Sequence, residues 1–145
     1  TLFAGSKAPA GWRPKISSTV KGANDDIRVA CIGFNGKGKT HIAGFKKLPG
    51  VRVVALCDVD QTILDKNAKK FSGDEKVATY TDARYIIDDP NIDAITIATP
   101  NHWHSLLAIW GCQAGKDVYV EKPVCQTIWE GRQLVIAKDK YNRIV

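Results

Sequence analysis

From Ile27 onward the chain alternates short runs rich in Val and Ile with longer stretches of helical period, and that alternation admits few folds. A strand buried on both faces reads as a nearly unbroken apolar run, and a helix covering it carries apolar residues at intervals of three and four. The runs are IRVACIG at 27–33, VRVVALC at 51–57, VATY at 77–80, DAITIA at 93–98 and DVYVE at 117–121. Between them a helix is expected at 36–48, closed by Pro49 and Gly50, and another at 61–71, followed by a turn at Gly73. Asp82 can cap a brief helix that Pro90 ends. The next helix puts Trp103, Leu107, Trp110 and Ala114 on one face, which reads as core packing for both tryptophans, and Gly115 closes it. The last, at 127–140, can turn Ile128, Leu134 and Val135 toward the sheet. The expected fold is α/β: a parallel sheet, doubly wound, with helices on both faces. Arg143-Ile144-Val145 reads as the opening of a sixth strand, so the sheet is expected to be truncated there, with a second α/β domain to follow.

Residues 1–26 have no hydrophobic period and mix Gly, Pro, Ala, Ser and charge, which reads as an extended arm ahead of a domain at 27–145. The formal charge of +6 raises the question of a nucleic-acid partner. Its sources are scattered: Lys7, Arg13, Lys15 and Lys21 outweigh Asp25 and Asp26 in the arm, leaving +4 over the remaining chain. A small anionic ligand suits that distribution and a nucleic-acid partner is not expected. No apolar run approaches the ~20 residues of a membrane-spanning helix, so no membrane partner is expected either. Cys31, Cys57, Cys112 and Cys125 lack metal-ligand spacing and read as core or near-core residues, with no metal site.

Gly33-Phe34-Asn35-Gly36-Lys37-Gly38 follows the first strand and opens the first helix. In that context a glycine-rich turn is a dinucleotide-binding, or Rossmann, signature. The first glycine permits the tight turn, the last lets helix and strand approach, and the free N–H groups of the helix point at a pyrophosphate. Asn35 stands where the pattern has its middle glycine; asparagine tolerates unusual backbone angles, and Gly36 beside it can take up remaining strain. Asp58 ends the second strand twenty positions past Gly38, the place of the acidic residue that accepts hydrogen bonds from the adenosine ribose. Its charge would repel a 2′-phosphate, so NAD is expected over NADP unless Lys37 or Lys39 offsets it; the alternative role for Asp58 is a cap on the following helix. Phe34, Lys37 and Val59 belong to these two turns and are cofactor-contact candidates with them.

Thr99-Pro100-Asn101-His102-Trp103-His104 follows the fourth strand and Glu121-Lys122-Pro123 the fifth. Ligands of open α/β sheets bind outside the carboxyl ends of the strands, so Thr99, Pro100, Asn101, His104, Glu121, Lys122 and Pro123 are candidates to border the nicotinamide. Asn101 can equally cap a helix, and His102 and His104 can equally pack at a helix terminus. A lysine buried at a strand end costs desolvation unless it meets an anion or ligand, which makes Lys122 the catalytic candidate. Its cation would stabilise negative charge on a substrate oxygen as hydride leaves the adjacent carbon. A cis bond is one way for Pro123 to fix that turn.

These motifs in this order, IGFNGKG, CDVD, ATPNHWH and GKDVYVEKPVCQTIWEGR, resemble the Gfo/Idh/MocA oxidoreductases over residues 27–145. The resemblance implies an NAD-binding Rossmann domain followed by a second domain with a large open sheet that often mediates homo-oligomerisation. It implies that Lys122 contacts the substrate and assists hydride transfer at a sugar or cyclitol carbon, and that the usual acid/base histidine belongs to the second domain. Residues 1–145 alone are therefore expected to bind NAD and to turn nothing over. Two other readings stay open: an NAD-dependent glycosidase, whose members tend to depart from the intact EKP seen here, and a non-catalytic NAD-sensing or partner-binding protein. The GANDDIRV stretch resembles relatives exported folded by the twin-arginine route, so export is favoured over a cytoplasmic location.

Overall fold

The computed structural model describes Gly11, residues 26–72 and residues 77–145. Apart from Gly11 and Asp26, the expected N-terminal arm lies outside the described residues, as does the expected turn at Gly73. Strands β1 (Ile27–Ile32), β2 (Val51–Cys57), β3 (Ala78–Tyr80), β4 (Ala94–Ile97) and β5 (Asp117–Val120) alternate with helices α1 (Gly38–Phe45), α2 (Gln61–Ser72), α3 (Ala83–Asp88), α4 (His104–Gln113) and α5 (Ile128–Tyr141). The strands form one sheet, all pairs parallel, in the order β3-β2-β1-β4-β5. Its two faces are covered separately. Cys31, Phe34, Ile42, Leu56 and Leu64 pack with α1 and α2 on one side, while Ala30, Ile32, Ile86, Ile95, Leu107 and Leu134 pack with α3, α4 and α5 on the other. Adjacent strand residues such as Cys31 and Ile32 divide between the two clusters because successive side chains of a strand point to opposite faces. The expected doubly wound sheet is present. Beyond it, Val118 donates from β5 to the Ile144 carbonyl at 2.9 Å, so residues 143–145 lie along the free edge of β5.

α1 is shorter than the 36–48 expected. Gly36 and Lys37 stay in the glycine loop, and residues 46–48 leave the helix through tight turns, with the Leu48 amide on the Phe45 carbonyl at 3.1 Å. Two expectations about faces need correction. Trp103 is 44% exposed, because residues Asn101–Trp103 form a 3-10 turn ahead of α4 and the 3.6-residue period does not extend back to it. Trp110 is half-buried against the core, and Leu107 and Ala114 are buried as expected. On α5, Leu134 is buried, but Ile128 and Val135 are 80% and 55% exposed. Leu134, Ala137 and Tyr141 form the stripe that meets the core, and Ile128 and Val135 lie about 100° around the helix from it. Among the described residues no helix is long and apolar enough to cross a membrane.

Candidate functional site

β1 and β4 are neighbours in the sheet, yet the chain leaves β1 toward β2 and leaves β4 toward β5. The loops after them diverge, and such a switch of direction opens a crevice at the carboxyl edge. A cavity of about 880 Å3 lies there, within the range of small-molecule sites. Eight of the predicted cofactor residues line it: Gly33, Phe34, Asn35 and Gly36 from the glycine loop, Asp58 and Val59 after β2, and Thr99 and Pro100 after β4.

The glycines explain how closely the loop is built. Gly33 has φ +78°, and a methyl there would stand 2.8 Å from the Thr99 amide nitrogen and 2.9 Å from the Ala98 carbonyl. A methyl on Gly38 would overlap the Gly33 carbonyl oxygen and meet Phe34 Cβ at 3.0 Å, so α1 starts in contact with the turn that ends β1. Asn35 and Gly36 turn out to carry no strain: neither has a positive φ, and the space around Gly36 is open. The left-handed residue of the loop is Gly33. No side chain caps α1 and its first turn holds no acidic residue, which leaves the positive end of the helix to an incoming anion.

Asp58 sits opposite. Its Oδ2 accepts from the Phe34 N–H at 3.2 Å and its Oδ1 from the Asp60 N–H at 3.1 Å, tying the end of β2 to the glycine loop. The cap on α2 is Asp60, whose Oδ1 accepts from Thr62 N–H at 2.8 Å, so the capping alternative for Asp58 falls away. Cys57 also lines the cavity; burial first, and the Asp58 charge second, push its thiol pKa up, as they push that of Cys31 to about 12. Both thiols stay protonated and are no nucleophiles.

The cavity runs further than the sequence suggested, past Thr81 and Arg84 after β3 and past His102, Trp103 and Trp110 before and on α4. Arg84 Nε donates to both oxygens of Asp82 at 2.9 and 3.0 Å, which holds the Asp82 carboxyl below the usual carboxylate range. The signal available in sequence was their position: Thr81–Arg84 follow a strand, as every other lining loop does.

The remaining candidates do not line the cavity. Gly38 is buried under the loop, and Lys37 and Asn101 are exposed, Asn101 accepting from Gln126 Nε2 at 3.3 Å. Lys122 is exposed beyond the end of β5, so the desolvation reason for singling it out does not hold; Asp117–Val120 end before the turn that carries it. The Lys122–Pro123 peptide bond is cis. His104 is enclosed, with Nδ1 2.7 Å from the Pro123 carbonyl oxygen and Nε2 2.8 Å from that of Thr99, so it braces two loops. Ser105 adds a hydrogen bond to the Val124 carbonyl at 2.9 Å. From the other side, Glu121 Oε1 accepts from His41 Nε2 at 2.8 Å, a residue the sequence reading passed over as one histidine in a helical stretch. Among the described residues no group of three or more His, Cys, Asp or Glu side chains could hold a metal ion.

A family model described as an oxidoreductase family with an NAD-binding Rossmann fold matches residues 27–145. A glycosyl hydrolase family 109 protein of Shewanella pealeana is 34% identical over 143 residues, which is 94% of this chain and 31% of that protein. Among solved structures, myo-inositol 2-dehydrogenase from Lactobacillus plantarum superposes with a TM-score of 0.75 at 30% identity, covering 83% of this chain and 35% of that one. An NAD-binding protein from Listeria innocua gives a TM-score of 0.75 at 26% identity over 83% of this chain and 34% of its own. The chain spans about a third of the length of the curated relatives it matches.

Proposed function

Because the chain belongs to the Gfo/Idh/MocA oxidoreductase family, as its NAD-binding Rossmann domain, we propose that it is the cofactor-holding part of an enzyme that transfers hydride between NAD and a carbinol of a sugar or cyclitol. The observation that carries the choice of NAD is the Asp58 carboxylate, which lines the same cavity as the glycine loop and is already fixed by the Phe34 and Asp60 amides. The uncapped start of α1 and the cradle at Gly33 and Gly38 fit a pyrophosphate, and Asp58 fits the two hydroxyls of an unphosphorylated ribose. A 2′-phosphate would meet the Asp58 charge. When bound, the nicotinamide supplies the hydride acceptor or donor. The ammonium of Lys122 donates to a substrate hydroxyl and stabilises negative charge on that oxygen. Trp103 and Leu107 give the cavity part of an apolar wall. The 30% identity with a myo-inositol 2-dehydrogenase supports the carbinol substrate class.

A second reading is favoured by one observation: the curated relatives at 34% identity are named glycosyl hydrolase family 109 proteins. In that reading the same residues hold the cofactor, and hydride returns to the substrate after a glycosidic bond breaks. Fluorescence titration of this chain with NADH and NADPH should give at least about tenfold preference for NADH, and Asp58→Asn should shrink it, since a tenfold ratio is only ~1.4 kcal/mol. Equal affinities in the unmutated chain would remove the NAD assignment. With the whole protein and a panel of sugars and cyclitols, net accumulation of reduced cofactor supports the dehydrogenase, whereas glycoside cleavage without it supports the second reading.

A further inference from the structure

His41 lies on α1 three residues past Gly38, with its ring enclosed between helix and sheet. Nδ1 stands 2.7 Å from Thr96 Oγ1 on β4, and Nε2 stands 2.8 Å from Glu121 Oε1, just past β5. A carboxylate accepts, so Nε2 carries the proton toward Glu121, and the Thr96 hydroxyl, able to donate or accept, pairs with Nδ1. Tyr119 packs edge-on against the ring with centroids 5.1 Å apart, which fixes its plane. The second oxygen of Glu121, Oε2, accepts from the backbone N–H of Lys122 at 3.3 Å. Hydrogen bonding from His41 is the largest cause that holds the Glu121 carboxyl below its usual range, and the charge of Lys37, the residue just before α1, acts in the same direction. α1 and the residue that precedes it therefore address one carboxylate, and that carboxylate is bonded to the amide of the lysine beside it.

Packing alone gives no reason for this arrangement. A leucine would fill the volume, and the buried His41 ring and Thr96 hydroxyl cost desolvation unless both are paired, as they are here with each other and with the half-buried Glu121. We propose that His41 is a positioning residue: by fixing Glu121 it fixes the backbone of Lys122 against α1, the helix whose uncapped N-terminus meets the cofactor. Helix and turn are then tied together, and His41 is one of the contacts that set where the Lys122 backbone stands relative to the cofactor site. The proposal rests on the reading of Lys122 as the residue that meets substrate.

Three variants test it: His41→Leu, His41→Gln, which keeps a donor near the Nε2 position, and Lys122→Met. In this chain, hydrogen exchange at the Lys122 amide should accelerate about tenfold in His41→Leu, the equivalent of one net hydrogen bond. Exchange at the β1 amides and the Kd for NADH should stay within about threefold of wild type. In the whole protein, turnover of whichever panel sugar reduces NAD fastest should fall in kcat by ten- to a hundredfold with little change in the KM for NAD, as expected for a catalytic group displaced by about 1 Å. His41→Gln should recover both. Unchanged Lys122 exchange in His41→Leu overturns the proposal, and so does acceleration shared equally by β1, which marks a general loss of stability. Failure of His41→Gln to restore the turn overturns it as well. Full turnover by Lys122→Met sinks the reading of Lys122 instead, while the exchange result still decides whether His41 holds the turn.

Discussion

Replacing Gly38 with alanine should cost the domain both stability and cofactor affinity, whereas the same change two residues earlier, at Gly36, should leave the fold undisturbed. A methyl on Gly38 would overlap the carbonyl oxygen of Gly33 and stand 3.0 Å from Phe34 Cβ and 3.1 Å from the Gly33 carbonyl carbon. Neither neighbour can yield. Gly33 is held at φ +78° against the backbone of Ala98 and Thr99, and the Phe34 ring is buried edge-on to Phe71 with centroids 6.3 Å apart. The start of α1 must therefore retreat by about 1 Å, at a cost of ~1–3 kcal/mol in stability. The same retreat takes the first-turn amides out of hydrogen-bond range of a pyrophosphate. Losing one or two charge-assisted bonds at ~1.5–3 kcal/mol each weakens NADH binding by about a hundredfold or more. A methyl on Gly36 meets no protein atom within 4 Å and its φ is not positive, so that variant should stay within ~0.5 kcal/mol of wild-type stability. Thermal melting and NADH fluorescence titration of both variants read the two effects. A Gly38→Ala protein that binds NADH within threefold of wild type would refute the reasoning about the loop, as would a Gly36→Ala protein that loses as much thermal stability as Gly38→Ala.

Lys116 is 1% exposed, its Nζ donating to the Asp89 and Ile92 carbonyls at 2.7 and 2.8 Å, and burial lowers its pKa from 10.5 to about 8. Between those two pH values the unfolded chain holds the proton and the folded one does not, so the contribution of Lys116 to stability grows as pH rises from about 8 and is lost again as pH falls. The urea stability of wild type relative to Lys116→Met should increase by about 3 kcal/mol from pH 7.5 to 10.5, the buried cysteines cancelling in the difference; a flat difference refutes the shift. Thr127 and Glu130 close a reciprocal cap on α5 at 3.2 and 3.1 Å, so Thr127→Ala should lower the stability measured in urea by about 1 kcal/mol and Thr127→Ser by much less. Lys122→Met should leave NADH affinity within about threefold but reduce turnover of the whole protein by a hundredfold or more, and a smaller loss would take the lysine out of the chemistry.

The strands were legible because each is a Val- or Ile-rich run that the turns around it isolate, and the spacing from Gly38 to Asp58 placed a carboxylate beside the glycine loop before any coordinates did. What could not be read was lateral position. Thr81, Asp82 and Arg84 reach the cavity because β3 lies beyond β2 in the sheet, and strand order is not written in the runs themselves. Trp103 was assigned to the core by extending the period of α4 backward through three residues that fold as a 3-10 turn. On α5 two apolar stripes compete, Ile128 with Val135 and Leu134 with Ala137, and only packing against α4 and the sheet decides that the second faces inward. His41 escaped notice for a related reason: its partners Thr96 and Glu121 are 55 and 80 positions away, and only the parallel order of β1, β4 and β5 brings them together.

That same order explains why the turn after β5 is held by polar rather than apolar contacts. It has no side chain in either core cluster, so burial of hydrocarbon cannot fix it. Instead Glu121 is bonded to His41 of α1, the Pro123 carbonyl to His104 and the Val124 carbonyl to Ser105, both at the start of α4. Hydrogen bonds are directional where apolar packing is not, and these three approach from two helices on opposite faces of the sheet. Lys122 sits between the clamped positions with its own side chain in solvent. Its backbone is thereby positioned before any ligand arrives, while the ammonium stays free to meet one. The role proposed for Lys122 needs both properties, because a cation's contribution depends on being in place as charge develops and on losing little freedom when it acts.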